Sequence, residues 1–394
     1  MTKVFRKILL VHNDYGKYSG EESVVDQMAA MWTKHGHQVV QLRMSTADSR
    51  DSLVGKIHGF LAGLYCPKGV REMRRILKAE RPDVVNVHNL FPFISPAALF
   101  ECKKAGVPVV MTVHNFRLIC PTGLFMREGK PCELCLERGN EWDCVRYNCE
   151  HSLLKSVGYA ARNAVARYSG AYRKCVDRFA CIADFQRQKL IQAGFDAEKI
   201  VVIPNCIRCS TDFQSMLGDY IAYVGRLSYE KGYDLLIEVA RRHPDIQFRL
   251  AGAQRMPGEV EAPKNVRFMG YLKGEELSDF IQGARFLVIP SRCYEGFPMA
   301  ILEAAQFGKP VIGPNHGGFT EIIGEGDAAI GRLFRPGNVD DLERHVVALW
   351  NNPNEIARLG EKAHGKLLRE YSTEGIYQKW DDLVQGLLQS IPRN

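Results

Sequence analysis

Short apolar runs recur along this chain, and each is followed by a stretch whose apolar residues fall at helical spacing. In the first half the runs are Lys7–His12, Gln38–Arg43, Val84–His88, Val109–His114, Arg178–Ile182 and Ile200–Ile203. In the second half they are Tyr220–Val224, Gln247–Ala251, Val266–Met269, Phe286–Ile289 and Val311–Gly313. Runs of this length, rich in Val and Ile and alternating with helical patterns, predict parallel strands covered by helices. Each half reads as its own doubly wound α/β domain. Pro204-Asn205-Cys206 ends the last run of the first half in a turn, and the stretch to Asp219 reads as a linker. Near the C-terminus, Ile376, Trp380, Leu383, Val384 and Leu387 predict a helix over 373–388.

One segment stands out for chemistry. Glu295-Gly296-Phe297-Pro298-Met299-Ala300-Ile301-Leu302-Glu303 sets two carboxylates across a turn that opens into a helix. Pro298 suits the start of a helix, where its missing N–H leaves nothing unpaired. A helix start offers free N–H groups and partial positive charge to an anion. Flanking carboxylates accept hydrogen bonds from sugar hydroxyls, so the segment describes a site for a phosphorylated sugar. Spacing alone does not carry this, because Glu72/Glu80, Glu133/Glu141 and Glu230/Glu238 are also eight apart. Only the Glu295/Glu303 pair is set in Pro-Ser-x-x-x-Glu-Gly-Phe-Pro, between an apolar run and a helix.

With 394 residues the chain has room for two domains, and 46% hydrophobic with 25% charged residues is a globular composition. No apolar run reaches membrane-spanning length, and Met1–Val11 reads as a first strand rather than a signal peptide, which predicts a cytoplasmic protein. Charge is uneven. Residues 1–205 hold 30 Lys and Arg against 20 Asp and Glu, whereas the rest hold 22 against 25. A basic first half fits an anionic membrane surface or a phosphorylated acceptor, and it equally fits a solvated basic face. No nucleic-acid-binding motif accompanies the charge.

Several further segments, in order, carry a family resemblance. Tyr223-Val224-Gly225-Arg226-Leu227-Ser228-Tyr229-Glu230-Lys231-Gly232 resembles the glycine-arginine-leucine, lysine-glycine signature of the retaining glycosyltransferases of family 4, which have the GT-B fold. The Glu295–Glu303 segment, Pro310-Val311-Ile312-Gly313 and Gly317-Gly318-Phe319-Thr320-Glu321-Ile322-Ile323 are similar to later parts of the same family. Asp83–Asn89 and Val109–His114 resemble its paired histidine-bearing strands. The resemblance implies two Rossmann-like doubly wound domains facing across a cleft: residues 1–205 on the acceptor side, 206–371 binding the nucleotide sugar, and 372–394 as a helix crossing back to the first domain. The ligand is then expected beyond the carboxyl ends of the strands.

The resemblance also implies roles. Arg226 and Lys231 supply fixed positive charge to the departing diphosphate, with Gly225 beside them. Glu303 holds the ribose hydroxyls and Glu295 those of the donor sugar, while backbone N–H groups of Gly296, Phe297 and Met299 face the sugar or diphosphate. Glu321 is a lesser candidate. With Arg and Lys at the phosphates and no Asp-x-Asp motif, no divalent metal is expected in catalysis. In the first half, Tyr18-Ser19-Gly20-Glu21-Glu22 occupies the place of a glycine-rich loop. Ser19 departs from the double glycine found there, but Gly20 still allows close backbone approach. Glu21 and Glu22 also read as first-turn charges on a helix dipole. His114 is expected to contact the donor sugar, with His88 a weaker candidate and neither a general base.

Five of the twelve cysteines lie in Cys120…Cys132-x-x-Cys135…Cys144-x4-Cys149. A cytosolic chain does not rely on disulfides, and Cys132, Cys135, Cys144 and Cys149 have a spacing that suits a structural zinc, with Cys120 or His151 as alternates. Free thiols in an acceptor-side loop are the other reading. Between Ser52 and Lys78, Leu53, Ile57, Phe60, Leu61, Leu64 and Tyr65 precede Arg71, Arg74, Arg75 and Lys78. This stretch suits a bilayer surface with its basic end at headgroups, or a helix covering a sheet. The reading as a whole is a retaining, metal-independent transferase of a UDP- or GDP-sugar to a glycan or lipid-linked acceptor. A nucleotide-sugar epimerase and a non-catalytic sugar-nucleotide-binding module are the rivals.

Overall fold

The computed structural model describes residues 5–15, 19–45, 53–208, 216–253 and 261–390. The chain divides into two compact bodies. The first comprises 1–123, 133–203 and 377–394, and the second comprises 124–132 and 204–376. Part of the linker (209–215), together with Tyr18, lies outside the described residues.

The first body is built on β1 (Lys7–Asp14), β2 (Gln38–Ser45), β3 (Val84–Val87), β4 (Val109–Val113), β7 (Arg178–Cys181) and β8 (Ile200–Val202). They form one parallel sheet in the order β2-β1-β3-β4-β7-β8. The antiparallel pair β5 (Met126–Arg127) and β6 (Lys130–Pro131) stands apart. Central strands buried on both faces explain the continuous apolar runs: every residue of β3 and β4 is buried. Asn86 is tolerated there because its amide donates to Val110 O at 3.1 Å and Thr112 Oγ1 at 3.0 Å.

The second body carries β9 (Tyr220–Val224), β10 (Gln247–Ala251), β11 (Val266–Gly270), β12 (Phe286–Val288), β13 (Val311–Pro314) and β14 (Gly331–Phe334). Their order is β11-β10-β9-β12-β13-β14, again all parallel. β14 has no counterpart among the predicted strands. It is a half-buried edge strand, Gly-Arg-Leu-Phe, too short and polar to register as an apolar run.

In both sheets the strand order reverses beside the first strand: between β1 and β3 in the first body, and between β9 and β12 in the second. Helices leaving to opposite faces open a crevice at such a point, outside the carboxyl ends of the strands.

The last helix, Thr373–Ser390, delivers its side chains to the first body. Tyr377 stacks on His35 at 3.4 Å between ring centres, meets Trp32 edge-on at 5.6 Å, and its hydroxyl lies 3.0 Å from His37 Nε2. Asp381 pairs with buried Arg6. Tyr377 is 6% exposed, so its ring is a core element of a body whose sheet lies more than 170 residues upstream. Tyr377→Ala is expected to cost about 3 kcal/mol. Urea unfolding followed by Trp32 fluorescence checks this, and an unchanged midpoint would mean the helix is only loosely attached.

Candidate functional site

Gly225-Arg226 follow β9 directly, and the turn they enter is tightly specified. The Tyr223 hydroxyl donates to Arg226 O at 2.6 Å, and the Leu227 N–H donates to Ala253 O at 3.0 Å. A single 3-10 turn, Tyr229–Lys231, then closes at Gly232 with φ +68°. A Cβ at Gly232 would lie 1.9 Å from Pro290 O, so only glycine lets this turn press against the end of β12. That contact places Lys231 beside the loop leaving β12.

Lys231 Nζ pairs there with Glu295 Oε1, which also accepts from Ser291 Oγ at 2.7 Å. Burial alone would lower the lysine pKa, but Glu295 outweighs it and holds Lys231 above its ordinary value. Burial would raise Glu295, but the charge and hydrogen bond of Lys231, with Ser291, hold it below the usual carboxylate range. Both groups are therefore charged at neutral pH. Arg226 stands at the edge of the pair, its guanidinium 3.3 Å from Glu230 and 39% exposed. A cation still open to solvent in this position is suited to meet an incoming anion.

The Glu295 loop is fixed from its other side by Gly317 and Gly318. The Gly318 N–H donates to Glu295 O at 2.8 Å, and a Cβ on Gly318 would fall 2.1 Å from Gly296 O. The paired glycines are thus required by close backbone approach. His316, just before them, places Nε2 3.1 Å from Ser291 O, and burial lowers its pKa, so the ring is neutral.

The helix that follows runs Met299–Gln306, with Pro298 as its N-cap and no side chain capping it. Gly296, Phe297 and Met299 thus lie at its open start. Phe297 turns its ring into the body, against Tyr371 at 5.5 Å, leaving only its backbone for a ligand. Glu303 lies in the second turn, where burial raises its pKa to about 7. Glu321, in the helix Gly318–Ile323, is exposed.

In the first body a row of histidines follows the carboxyl ends of three adjacent strands: His12 on β1, His88 after β3 and His114 after β4. His88 Nδ1 and His114 Nε2 are 2.7 Å apart, with their rings stacked at 5.0 Å. Burial lowers His114 to about 4 and lowers His88 well below the ordinary value, so both are neutral at pH 7. A neutral pair of this kind presents a hydrogen-bonding ring rather than a charge. His12 is fully buried with no hydrogen bond at either ring nitrogen. It sits 3.7 Å from Glu21 and 3.6 Å from Asp14, and ligand atoms of His12, Asp14 and Glu22 all lie within 4.8 Å of one another. The group can satisfy sugar hydroxyls or a cation.

Ser19 is the N-cap of the helix Gly20–Lys34 and accepts from the Glu22 N–H, which explains a serine where the family pattern has glycine. A Cβ on Gly20 would meet nothing within 4 Å, so the helix start stays open above it. Glu21 and Glu22 do more than complement the helix dipole. Glu21 accepts from the Tyr15 hydroxyl at 2.9 Å and Asn115 at 3.4 Å, and Glu22 accepts from the Tyr15 N–H at 3.3 Å. His12, Tyr15 and Asn115, like Ser291 and His316, carry no motif of their own. Only their place at a strand end marked them.

Of the predicted zinc ligands, Cys135, Cys144 and Cys149 lie in the first body, but among the described residues the only three such ligand atoms found within 4.8 Å of one another are those of His12, Asp14 and Glu22, so the predicted sulfurs are not brought to metal-binding distance. Cys132 belongs to the segment 124–132 that groups with the second body.

These features match known proteins. Residues 217–366 match the model of the glycosyl transferases group 1, and residues 18–211 match that of glycosyltransferase family 4. A glycosyltransferase of uncharacterized specificity from Methanocaldococcus jannaschii is 29% identical over 80% of this chain and 76% of its own. The 2-deoxystreptamine N-acetyl-D-glucosaminyltransferase of Niallia circulans is 23% identical over 78% and 77%. Anabaena HepE, solved in complex with UDP-glucose, superposes with a TM-score of 0.67 at 16% identity, covering 97% of this chain and all of its own. The protein is a glycosyltransferase enzyme of the GT-B fold class, with two Rossmann-like domains. It belongs to glycosyltransferase family 4.

Burial of Glu303 has a consequence for stability. Its folded pKa of about 7 lies above the unfolded value, so the unfolded chain releases this proton first and stability falls as pH rises from about 4.5 through 7. Glu303→Gln is expected to match wild type near pH 5 and to exceed it at pH 8, by at most about 3 kcal/mol. Thermal unfolding of both proteins across pH 5–8 checks this, and parallel curves would mean that Glu303 titrates normally.

Proposed function

We propose that this enzyme transfers a sugar with retention, and without a catalytic metal, from a UDP- or GDP-sugar to an acceptor hydroxyl. The observation that carries the reading is the buried Lys231–Glu295 pair with Arg226 at the crevice between β9 and β12. Arg226 and Lys231 bind the two phosphates. As the bond from the anomeric carbon to the phosphate oxygen breaks, they take up the charge that develops on the leaving group. The acceptor oxygen bonds to the anomeric carbon on the face the diphosphate leaves, and its proton passes to the departing phosphate oxygen. Glu295, held by Lys231 and Ser291, accepts from the sugar's hydroxyls, and Glu303 accepts from the ribose. His114 contributes a neutral ring to the donor sugar. The His12, Glu21 and Glu22 group serves the acceptor's hydroxyls. The UDP-glucose bound by HepE and the aminosugar transfer named for the Niallia relative support a nucleotide-sugar donor.

Thermal unfolding with UDP, GDP, ADP and dTDP tests the donor site. One nucleotide should raise the midpoint of wild type, by an amount equivalent to about 2.7 kcal/mol at a hundredfold excess over its dissociation constant, and fail to do so for Glu303→Ala. Arg226→Ala should still unfold cooperatively while kcat falls by about a hundredfold. Anomeric configuration of the product by NMR tests retention, and turnover of the nucleotide sugar without acceptor would instead identify an epimerase.

We also propose that the acceptor is a growing surface or lipid-linked glycan, and that the first body reaches it at an anionic membrane. Among the described residues no helix is long and apolar enough to cross a membrane. Within 52–78, the helix Pro67–Glu80 covers the sheet with Val70, Met73, Ile76 and Leu77, while Arg74 pairs with Glu101 and Arg75 with Glu72. The side chains of Leu53 and Ile57 lie outside the described residues. The better surface is the helix Leu153–Ser169, whose Leu154, Val157, Val165 and Tyr168 share one exposed face. Leu61 and Tyr65 are exposed on the neighbouring helix Leu53–Leu64 and the residue after it, and Phe60 of that helix packs over Gly158. Exposed Lys155 and the basic balance of residues 1–205 suit anionic headgroups. Vesicles containing phosphatidylglycerol should sediment the wild type at low salt and release Leu154→Asp/Tyr168→Asp. Equal binding of both proteins, or none, would reject this surface.

A further inference from the structure

Residues two apart on a strand share a face, so His12 and Asp14 stand on one side of β1 at its carboxyl end. The helix Gly20–Lys34 starts beside that end, and its first turn supplies Glu21 and Glu22. The result is a dense group of donors. His12 Nε2 lies 3.6 Å from Asp14 Oδ1, and Nδ1 lies 3.7 Å from Glu21 Oε1. One ligand atom from each of His12, Asp14 and Glu22 falls within 4.8 Å of the other two. Donors on a single ion at about 2.1 Å sit about 3–4 Å apart, so only a small closing is needed.

Burial separates this group from an ordinary cluster of surface acids. His12 is 0% exposed and Glu22 4%. Both ring nitrogens of His12, together with Glu21 Oε1 and Glu22 Oε2, are buried without a hydrogen-bond partner. Buried polar atoms are nearly always satisfied, so four orphans in one place call for a ligand. A proton on His12 does not supply it, because contacts of 3.6 and 3.7 Å are too long for hydrogen bonds. Charge points the same way. Arg43 is shared between Asp14 and Asp26, and Arg117 donates to the Tyr15 hydroxyl at 2.7 Å. Among the described residues no Lys or Arg pairs with Glu22, which leaves a buried carboxylate uncompensated.

We propose that His12 Nε2 and the carboxylates of Asp14 and Glu22 bind a divalent transition-metal ion, with Glu21 accepting from His12 Nδ1–H. A metal-bound histidine gives its other ring N–H to a carboxylate, which fixes the ring, and Glu21 stands where that partner belongs. Arg43 plays the same part for Asp14, donating to Oδ1 from Nη2 at 3.0 Å and to Oδ2 from Nε at 3.3 Å. One imidazole and two carboxylates suit manganese or zinc better than calcium or copper(I). The ion ties the end of β1 to the first turn of the helix Gly20–Lys34. It leaves the departing diphosphate to Arg226 and Lys231. Its open positions take water or the acceptor hydroxyls assigned to this group; that last step rests on the acceptor reading, whereas binding of the ion does not.

The test is a titration of the full chain, stripped with EDTA, with manganese(II) chloride followed by electron paramagnetic resonance. Wild type should take up one ion per chain, and pulsed spectra should show nitrogen-14 coupling from a coordinated imidazole. Asp14→Asn and Glu22→Gln should each weaken binding by more than about a hundredfold, and Glu21→Gln by about 10–100-fold. Glu343→Gln, which alters a carboxylate beside His243 in the second body, should leave affinity unchanged. Without metal, Glu22→Gln should melt above wild type, because it removes an uncompensated buried charge. Uptake and nitrogen coupling in wild type need no variant to fold, so they decide the matter if the variants aggregate. No uptake, uptake without nitrogen coupling, or equal affinity in wild type and Glu22→Gln would overturn the site.

Discussion

A buried ion pair organises the second body. Lys231 and Glu295 come from loops more than sixty residues apart, and each is kept charged by the other against the cost of burial. Such pairs add little net stability, but removing one partner strands a buried charge at about 3–5 kcal/mol. The surrounding features read as conditions for this contact. Gly232 lets the lysine turn approach Pro290, Ser291 fills a second bond to Glu295, and Gly317-Gly318 carries the loop from behind. For the diphosphate proposed here, the carboxylate and ammonium are already oriented, so no reorganisation of them is left for the reaction step.

The two bodies solve a common problem differently. Both place their polar groups where the strand order reverses. The second body uses fixed charges there, which suits the phosphate binding proposed for it. The first uses neutral, deeply buried imidazoles, His88 and His114, with His12 beside the carboxylates of Asp14 and Glu21, an environment that suits hydroxyl groups. The contrast is between Arg226 at one strand end and His114 at another, a fixed charge against a neutral ring.

The last helix and the cysteine-rich loop share a logic of belonging. Each is distant in sequence from the unit it packs with, so local pattern cannot assign it. Tyr377 completes the core beside Trp32 and His35, and residues 124–132 leave the loop that surrounds them to join the second body. Phe125 and Gly129 make that attachment: the Phe125 ring lies 6.1 Å from Tyr294, and a Cβ on Gly129 would strike the Tyr229 hydroxyl.

By itself the sequence determined eleven of the twelve strands of the two sheets and the family, and it marked the charged residues proposed for the donor. Fully buried parallel strands leave unbroken apolar runs, and Arg226, Lys231, Glu295 and Glu303 sit in backbone motifs with few alternatives. It did not reveal β14, whose edge position leaves it half polar, or Ser291, His316, His12 and Tyr15, ordinary residues given meaning by neighbours far along the chain. Only the tertiary structure decided that Ser19 is a helix cap, that Arg74 is engaged with Glu101, and that residues 124–132, with Cys132, group with the second body. Spacing along a chain constrains what can meet within one element. Which loops converge is set by the packing of sheets and helices, and that is where these choices were made.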